Sequence, residues 1–223
     1  NSNLGLEDNM IDKLIGKINK LEDEDRVNEF IIFTSVDTWG EQAEYARNGL
    51  DFNRHWDNME KILEKCPRVN LTIMSTYNAL SVPNYHKLIE GVYGLKEKYG
   101  SSDRYWNSAV FLDSSYLRYP QHQTVQVLPD VWNQEIIKQA QLVDYYSVLW
   151  GAEYQNKMPG YSDVEIQKIK RSYDWMTSRK DMTNQRKNFG NYFRAHDERR
   201  GTDFCKTFPE LADFYEYCLT LSR

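Results

Sequence analysis

Apolar positions along the first 150 residues alternate between two periods. Met10, Ile11, Leu14, Ile15, Ile18 and Leu21 recur at helical spacing and predict an amphipathic helix, ended by the acidic run at 23–25. Phe30–Phe33 is a short apolar run rich in aromatic and β-branched residues, the pattern of a buried strand. Asp51 is placed as the N-cap of a second helix, whose inward face carries Phe52, Trp56, Met59, Ile62 and Leu63 and which ends at Pro67. Asn70–Tyr77 predicts the next strand. Pro83 opens a helix faced by Tyr85, Leu88, Ile89, Val92 and Leu95. Ala109–Leu112 predicts a third strand and Thr124–Leu128 a final one, with an irregular stretch at 117–123 between them. Pro129 then introduces a long helix through Trp132, Ile136, Ile137, Ala140, Val143 and Leu149. Such alternation argues for an α/β domain with a parallel sheet and crossover helices over residues 1–150.

From residue 151 the pattern is helical only. Ser162 and Glu165 form a capping-box signature ahead of Ile166, Ile169 and Trp175. A second helix is expected around 184–194. Thr207, Pro209 and Glu210 read as the cap and first turn of a last helix with Leu211, Phe214, Tyr215 and Leu219. Residues 151–223 are therefore read as a helical tail packed on the α/β part.

Composition narrows the function classes. A net charge of −5 over 223 residues, with both signs interspersed, argues against nucleic acid as the main partner. No apolar run is long enough to span a bilayer, and the N-terminal residues carry no signal-peptide pattern. Cys66, Cys205 and Cys218 are an odd number at wide spacing, neither a disulfide framework nor a zinc motif, which fits a reducing cytoplasm. The four histidines lack a second ligand at metal spacing, so no metal ligands are assigned and each is read as structural or surface. Aromatic residues make up 14% of the chain, so aromatic core and pocket walls are expected.

Candidate chemistry gathers where the first strand ends. Thr34, Ser35, Asp37 and Thr38 follow the apolar run directly, then Gly40, Glu41, Glu44, Arg47 and Gly49. The carboxyl ends of parallel strands are where ligands bind in α/β folds. Ser35 and Asp37 lie two apart, so both side chains fall on one face of an extended segment. Hydroxyl and carboxylate groups suit sugar hydroxyls or an ammonium, and Arg47 suits a carboxylate. Thr76 and Asn78 end the neighbouring strand and could meet the same ligand. Each position also has a plainer reading: strand-end capping for Ser35 and Asp37, an ion pair with Glu41 or Glu44 for Arg47, a loop start for Asn78. Glu41 and Glu44, at i and i+3, resemble an acid/base carboxylate pair, but a solvated helix start explains them better.

The stretch SVDTWGEQAEYARNGLDF resembles the fourth strand and following loop of a radical S-adenosylmethionine (SAM) barrel, closest to twitch-domain-containing members. The resemblance runs from Asn1 to at least Pro129 and more loosely onward. It implies the C-terminal half of a partial (βα)6 TIM-like barrel, with Asn1 a cut edge inside a domain. It implies cofactor-binding roles for Ser35, Asp37, Arg47 and Asn78 toward SAM. It also implies a 4Fe–4S cluster in the full-length protein, held by a Cys-x-x-x-Cys-x-x-Cys loop that this sequence lacks. On this reading the chain alone binds neither SAM nor cluster and is inactive. Its open sheet edge would be covered by the missing N-terminal half of the barrel or by another protein. The substrate and the catalytic residues stay unassigned. Two rivals stand beside it: a non-catalytic α/β binding module for a peptide or glycan, and a cofactor-free hydrolase using Glu41 or Glu44 with Asp37.

Overall fold

In the computed structural model, residues 4–100, 108–153, 160–178 and 180–222 are described, with side chains omitted at 148–153. Three strands form one parallel sheet in the order β1 (Phe30–Ser35), β2 (Val69–Tyr77), β3 (Val110–Tyr116). The connections are helical. α1 (Asp8–Asp23) precedes β1; α2 (Glu41–Ala46) and α3 (Phe52–Lys65) lead to β2; α4 (Tyr85–Tyr99) leads to β3. The register sets Ile32, Leu71 and Val110 in one row and Thr34, Ile73 and Leu112 in the next. These rows are buried beneath α3 and α4, against residues such as Met59, Ile62, Leu88 and Ile89. The pleat turns the intervening residues to the other face. There Phe33 and Met74 stay 37% and 44% exposed, so the sheet is covered on one side and partly open on the other.

Local signals explain most element boundaries. Ile11, Ile15 and Ile18 bury one face of α1, while Met10 points outward. Asp51 caps α3 by accepting a hydrogen bond from the Arg54 amide at 3.0 Å. Pro83 sits in a 3-10 turn at 82–84 that runs into α4. Gly91 lies inside α4, despite the helix cost of glycine, because Trp39 packs onto it. A Cβ there would fall 2.4 Å from the Trp39 ring, which itself meets Phe52 and Trp56 edge-on.

Two expectations are corrected. Residues 124–128 are not a strand: Val125–Val127 is a 3-10 turn, with the Val127 amide donating to Thr124 O and the Leu128 amide to Val125 O. Val125 and Val127 alternate with polar Thr124 and Gln126 and are both buried, but the backbone satisfies itself locally instead of joining the sheet. Thr207 does not cap the last helix; its hydroxyl donates to Asp203 O, and a 3-10 turn at 209–211 leads into it. The long helix α5 (Asn133–Glu153) follows these turns and runs on past position 150.

The tail is helical, as its pattern indicates: α6 (Asp163–Thr177), α7 (Thr183–Arg200), the short α8 (Phe204–Thr207) and α9 (Ala212–Thr220). It does not stand apart. α6 lies against β3 and α5, and its capping box is formed, with Ser162 and Glu165 satisfying each other's backbone amides. Phe189, Phe193, Phe204, Phe208 and Tyr215 make a second aromatic centre, and Tyr45 of α2 packs its ring against Phe193, Phe204 and Phe208. Gln42 of α2 donates to Thr207 O at 3.1 Å and to Glu210 at 3.2 Å. These contacts fix α7 over the carboxyl ends of β1 and β2.

Candidate functional site

β1 runs in register with β2, Ser35 beside Met74, and continues one residue further through a Val36 amide to Met74 O bond. Asp37 therefore arrives opposite Thr76 and accepts a 2.7 Å hydrogen bond from its amide. The chain then turns at Gly40, whose φ of +60° is a conformation a side chain disfavours. α2 carries Arg47 back onto the same carboxylate, where Nε and Nη2 donate to Asp37 at 2.8 and 3.0 Å. A second reversal at Gly49 (φ +83°) starts α3, whose first amide, Phe52 N, donates to Glu44 at 2.8 Å.

Asp37 and Asn78 come together in one cavity of about 170 Å³. Thr76, Leu80, Leu117 and Gln123 complete its strand-end wall. Ser35 and Arg47 do not line it. Ser35 is half-buried one pleat below, and Arg47 is forked onto Asp37 rather than open to a ligand. The expected partner of Arg47 among Glu41 and Glu44 is thus replaced by Asp37. Glu44 is occupied as the acceptor for the first turn of α3, and Glu41 is exposed, so the geometry does not assemble an acid/base pair. Asn78 is largely used by its own turn: its amide nitrogen donates to Thr76 O and its side-chain oxygen accepts from Leu80 N.

The opposite wall comes from the tail, which sequence reasoning left out of the site. Tyr192, Phe193 and His196 of α7 line the cavity together with Tyr45 of α2. The Tyr45 and His196 rings lie 4.4 Å apart, and the Tyr45 hydroxyl donates to Asp197 at 2.8 Å. Asp197 also accepts from Thr202 and from the Phe204 amide, which anchors the end of α7. Burial lowers the His196 pKa, helped by Arg200 and Arg199 and opposed by Asp197, so the imidazole is neutral near pH 7. Burial and Asp197 push the Tyr45 phenol far up, so it stays protonated. The available sign was the spacing of Phe189, Tyr192, Phe193 and His196 at helical intervals. What the spacing could not say is that this face meets the strand ends.

The chemistry on offer is hydrogen bonding at a nearly charge-neutral rim. Ionised Asp37 has about four acceptor positions, of which Thr76 and Arg47 take three, leaving one for a ligand hydroxyl or ammonium. Neutral His196 can accept or donate one bond. The volume is below the roughly 300–1,000 Å³ typical of small-molecule pockets, so the cavity as it stands holds a fragment-sized group such as a ribose. Among the described residues, no three His, Cys, Asp or Glu side chains converge to hold a metal ion. No protein-family model, no curated protein and no solved structure matches the chain.

Proposed function

We propose that this chain is the C-terminal part of a radical SAM barrel, inactive alone, whose Asp37 rim holds part of SAM. The observation that carries the reading is the meeting of Asp37, Thr76 and Asn78 at the carboxyl ends of two adjacent parallel strands, in one cavity. The free acceptor position on Asp37 suits a ribose hydroxyl or the methionyl ammonium, with Asn78 beside it in the cavity and Ser35 one pleat below as the outer part of the same strand end. Arg47 acts here as a positioning residue that orients Asp37, rather than as the grip on the cofactor's own carboxylate. α7 supplies the wall opposite the rim through Tyr192, Phe193 and His196. In a complete protein Asp37 would hold part of SAM, and a one-electron-reduced 4Fe–4S cluster held by the upstream cysteines would supply reductive cleavage of the SAM C–S bond, with methionine leaving, for hydrogen abstraction from a substrate.

The test is the reading frame upstream of Asn1. A Cys-x-x-x-Cys-x-x-Cys loop there, followed by anaerobic reconstitution that yields 5′-deoxyadenosine and is suppressed in Asp37→Ala, supports the reading. A frame without that loop sinks it. A binding module for a glycan or peptide is the second reading, favoured by the self-satisfied Asn78 and by the Tyr45, Tyr192 and Phe193 wall. It requires saturable glycan or peptide binding in air without iron.

A further inference from the structure

The carboxyl end of β3 carries a second cavity, of about 220 Å³, lined by Ser114, Ser115, Tyr116, Arg118, Lys168 and Arg171. None of these positions stands out in the sequence, because Arg118 belongs to an irregular loop and the other two cations to a distant helix. The fold brings them together: α6 packs along β3 and places Lys168 and Arg171 beside the strand end. Lys168 pairs with Asp113 and lies 5.6 Å from the Phe111 ring centre. The Arg118 guanidinium sits over the Tyr116 ring at 5.4 Å and donates to its hydroxyl at 3.2 Å. Tyr116 is stacked on Trp175, whose indole nitrogen donates to Leu117 O at 3.2 Å. Arg118 is thus held by a platform of two stacked rings. Arg171 donates through Nε to Gln167 O at 3.2 Å, and neither arginine has a carboxylate partner among the described residues.

We infer that this cavity is a phosphate-binding site, taking the phosphoryl group of a small phosphate monoester. Three cations set against the Asp113 carboxylate leave two positive charges, in a chain whose net charge is −5. A phosphate monoester carries about −1.5 to −2 near pH 7 and matches that surplus. Two guanidiniums approach from different elements, an arrangement that serves a tetrahedral oxyanion with several acceptor oxygens better than a planar carboxylate with two. The exposed Ser115 hydroxyl, which donates to Asp113 only at a long 3.5 Å, can turn to the anion as a further donor. The volume equals roughly seven waters at their ~30 Å³ share of liquid, enough for the phosphoryl group with part of its ester. Ser115 is in register with Thr76, which lines the Asp37 cavity, so the two sites are one strand apart on a single rim. The site stands on its own cations, whether or not the Asp37 rim takes SAM.

The experiment is a titration of the full chain with inorganic phosphate and phenyl phosphate at low ionic strength, followed by calorimetry, with acetate as the carboxylate arm. Arg118→Ala and Arg171→Ala remove exposed side chains and leave the core intact, which circular dichroism checks. Each is expected to weaken phosphate binding about tenfold, the loss of one charge-assisted hydrogen bond. The control pair Lys13→Ala/Lys17→Ala on the exposed face of α1, which removes one more positive charge than either arginine variant, is expected to leave it unchanged. Equal weakening by the α1 pair, acetate binding as tightly as phosphate, or no saturable phosphate binding would each overturn the assignment.

Discussion

Ser35, Asp37, Arg47 and Asn78 are legible in the sequence as polar residues at strand ends, but their partners are not. Arg47 meets Asp37 only because Gly40 and Gly49 fold the intervening loop back, and no spacing rule announces an i, i+10 pair. The pair is forked and its Asp side chain is only 10% exposed, so breaking it leaves a buried carboxylate held by the Thr76 amide alone. Arg47→Ala is expected to cost about 2 kcal/mol in urea unfolding, below the figure for a fully buried pair because Arg47 is itself 35% exposed. Arg47→Lys keeps the charge but loses the fork, and is expected to recover only part of the loss. An Arg47→Ala protein as stable as the parent would show that the pair does not hold the rim. His196 was read as structural or surface, and the structure buries it in the site wall. Its folded-state pKa lies below the ordinary 6.5, chiefly through burial, so the unfolded chain binds its proton more readily. Its contribution to stability is therefore full above about pH 6.5 and lost as pH falls below that value. His122 shifts in the same direction. Between pH 7.5 and 5.5 the melting temperature of His196→Gln should fall less than that of the parent, with His122→Gln as the comparison. An unchanged slope in His196→Gln would assign the acid sensitivity elsewhere.

At the scale of elements, the capping box of α6 was visible from Ser162 and Glu165, yet its larger role was hidden. Glu165 is 1% exposed and joins three elements. It accepts from the Ser162 amide and hydroxyl at 2.8 Å each, from the Leu112 amide of β3 at 2.8 Å, and from Lys96 of α4 at 3.0 Å. Burial lowers the Lys96 pKa and Glu165 opposes that shift, so the ammonium depends on its partner. Glu165→Ala strands a buried lysine and is expected to cost about 3–5 kcal/mol in chemical unfolding. Buried pairs can often be replaced by apolar groups at little cost, but here a Lys96→Met/Glu165→Leu variant still orphans the Leu112 and Ser162 amides. It should remain at least 1 kcal/mol less stable than the parent, on the order of one lost acceptor. Full stability in the double variant would show that water replaces Glu165 at both amides. A capping-box motif names only the local half of this network, because periodicity carries no information on which strand edge a distant helix will cover.

For the whole molecule, alternation foretold the α/β class and the parallel strands, while the 3-10 turn at 125–127 shows where a period-2 pattern can mislead. The two sheet edges are treated differently. β3 is shielded by α6, with Glu165 taking the Leu112 amide, whereas no strand pairs with the outer edge of β1 among the described residues. In a parallel strand alternate amides point to opposite neighbours. Val36 N reaches Met74 O, so the amides of Ile32 and Thr34 also face β2, and those of Ile31, Phe33 and Ser35 face away. Phe33 and Met74 are exposed on the adjoining open face of the sheet. An apolar open face beside an unpaired edge is a surface that proteins otherwise blunt or cover. Hydrogen exchange on the isolated chain should therefore find the Phe33 and Ser35 amides exchanging at least a hundredfold faster than those of Ile32 and Thr34, since only the latter require the sheet to open. In the protein from the complete reading frame, the half-barrel reading requires that the Phe33 and Ser35 amides become as protected as their neighbours. Protection already present in the isolated chain would mean that its own residues or a second copy close the edge, and a concentration series of the exchange rates separates those two cases.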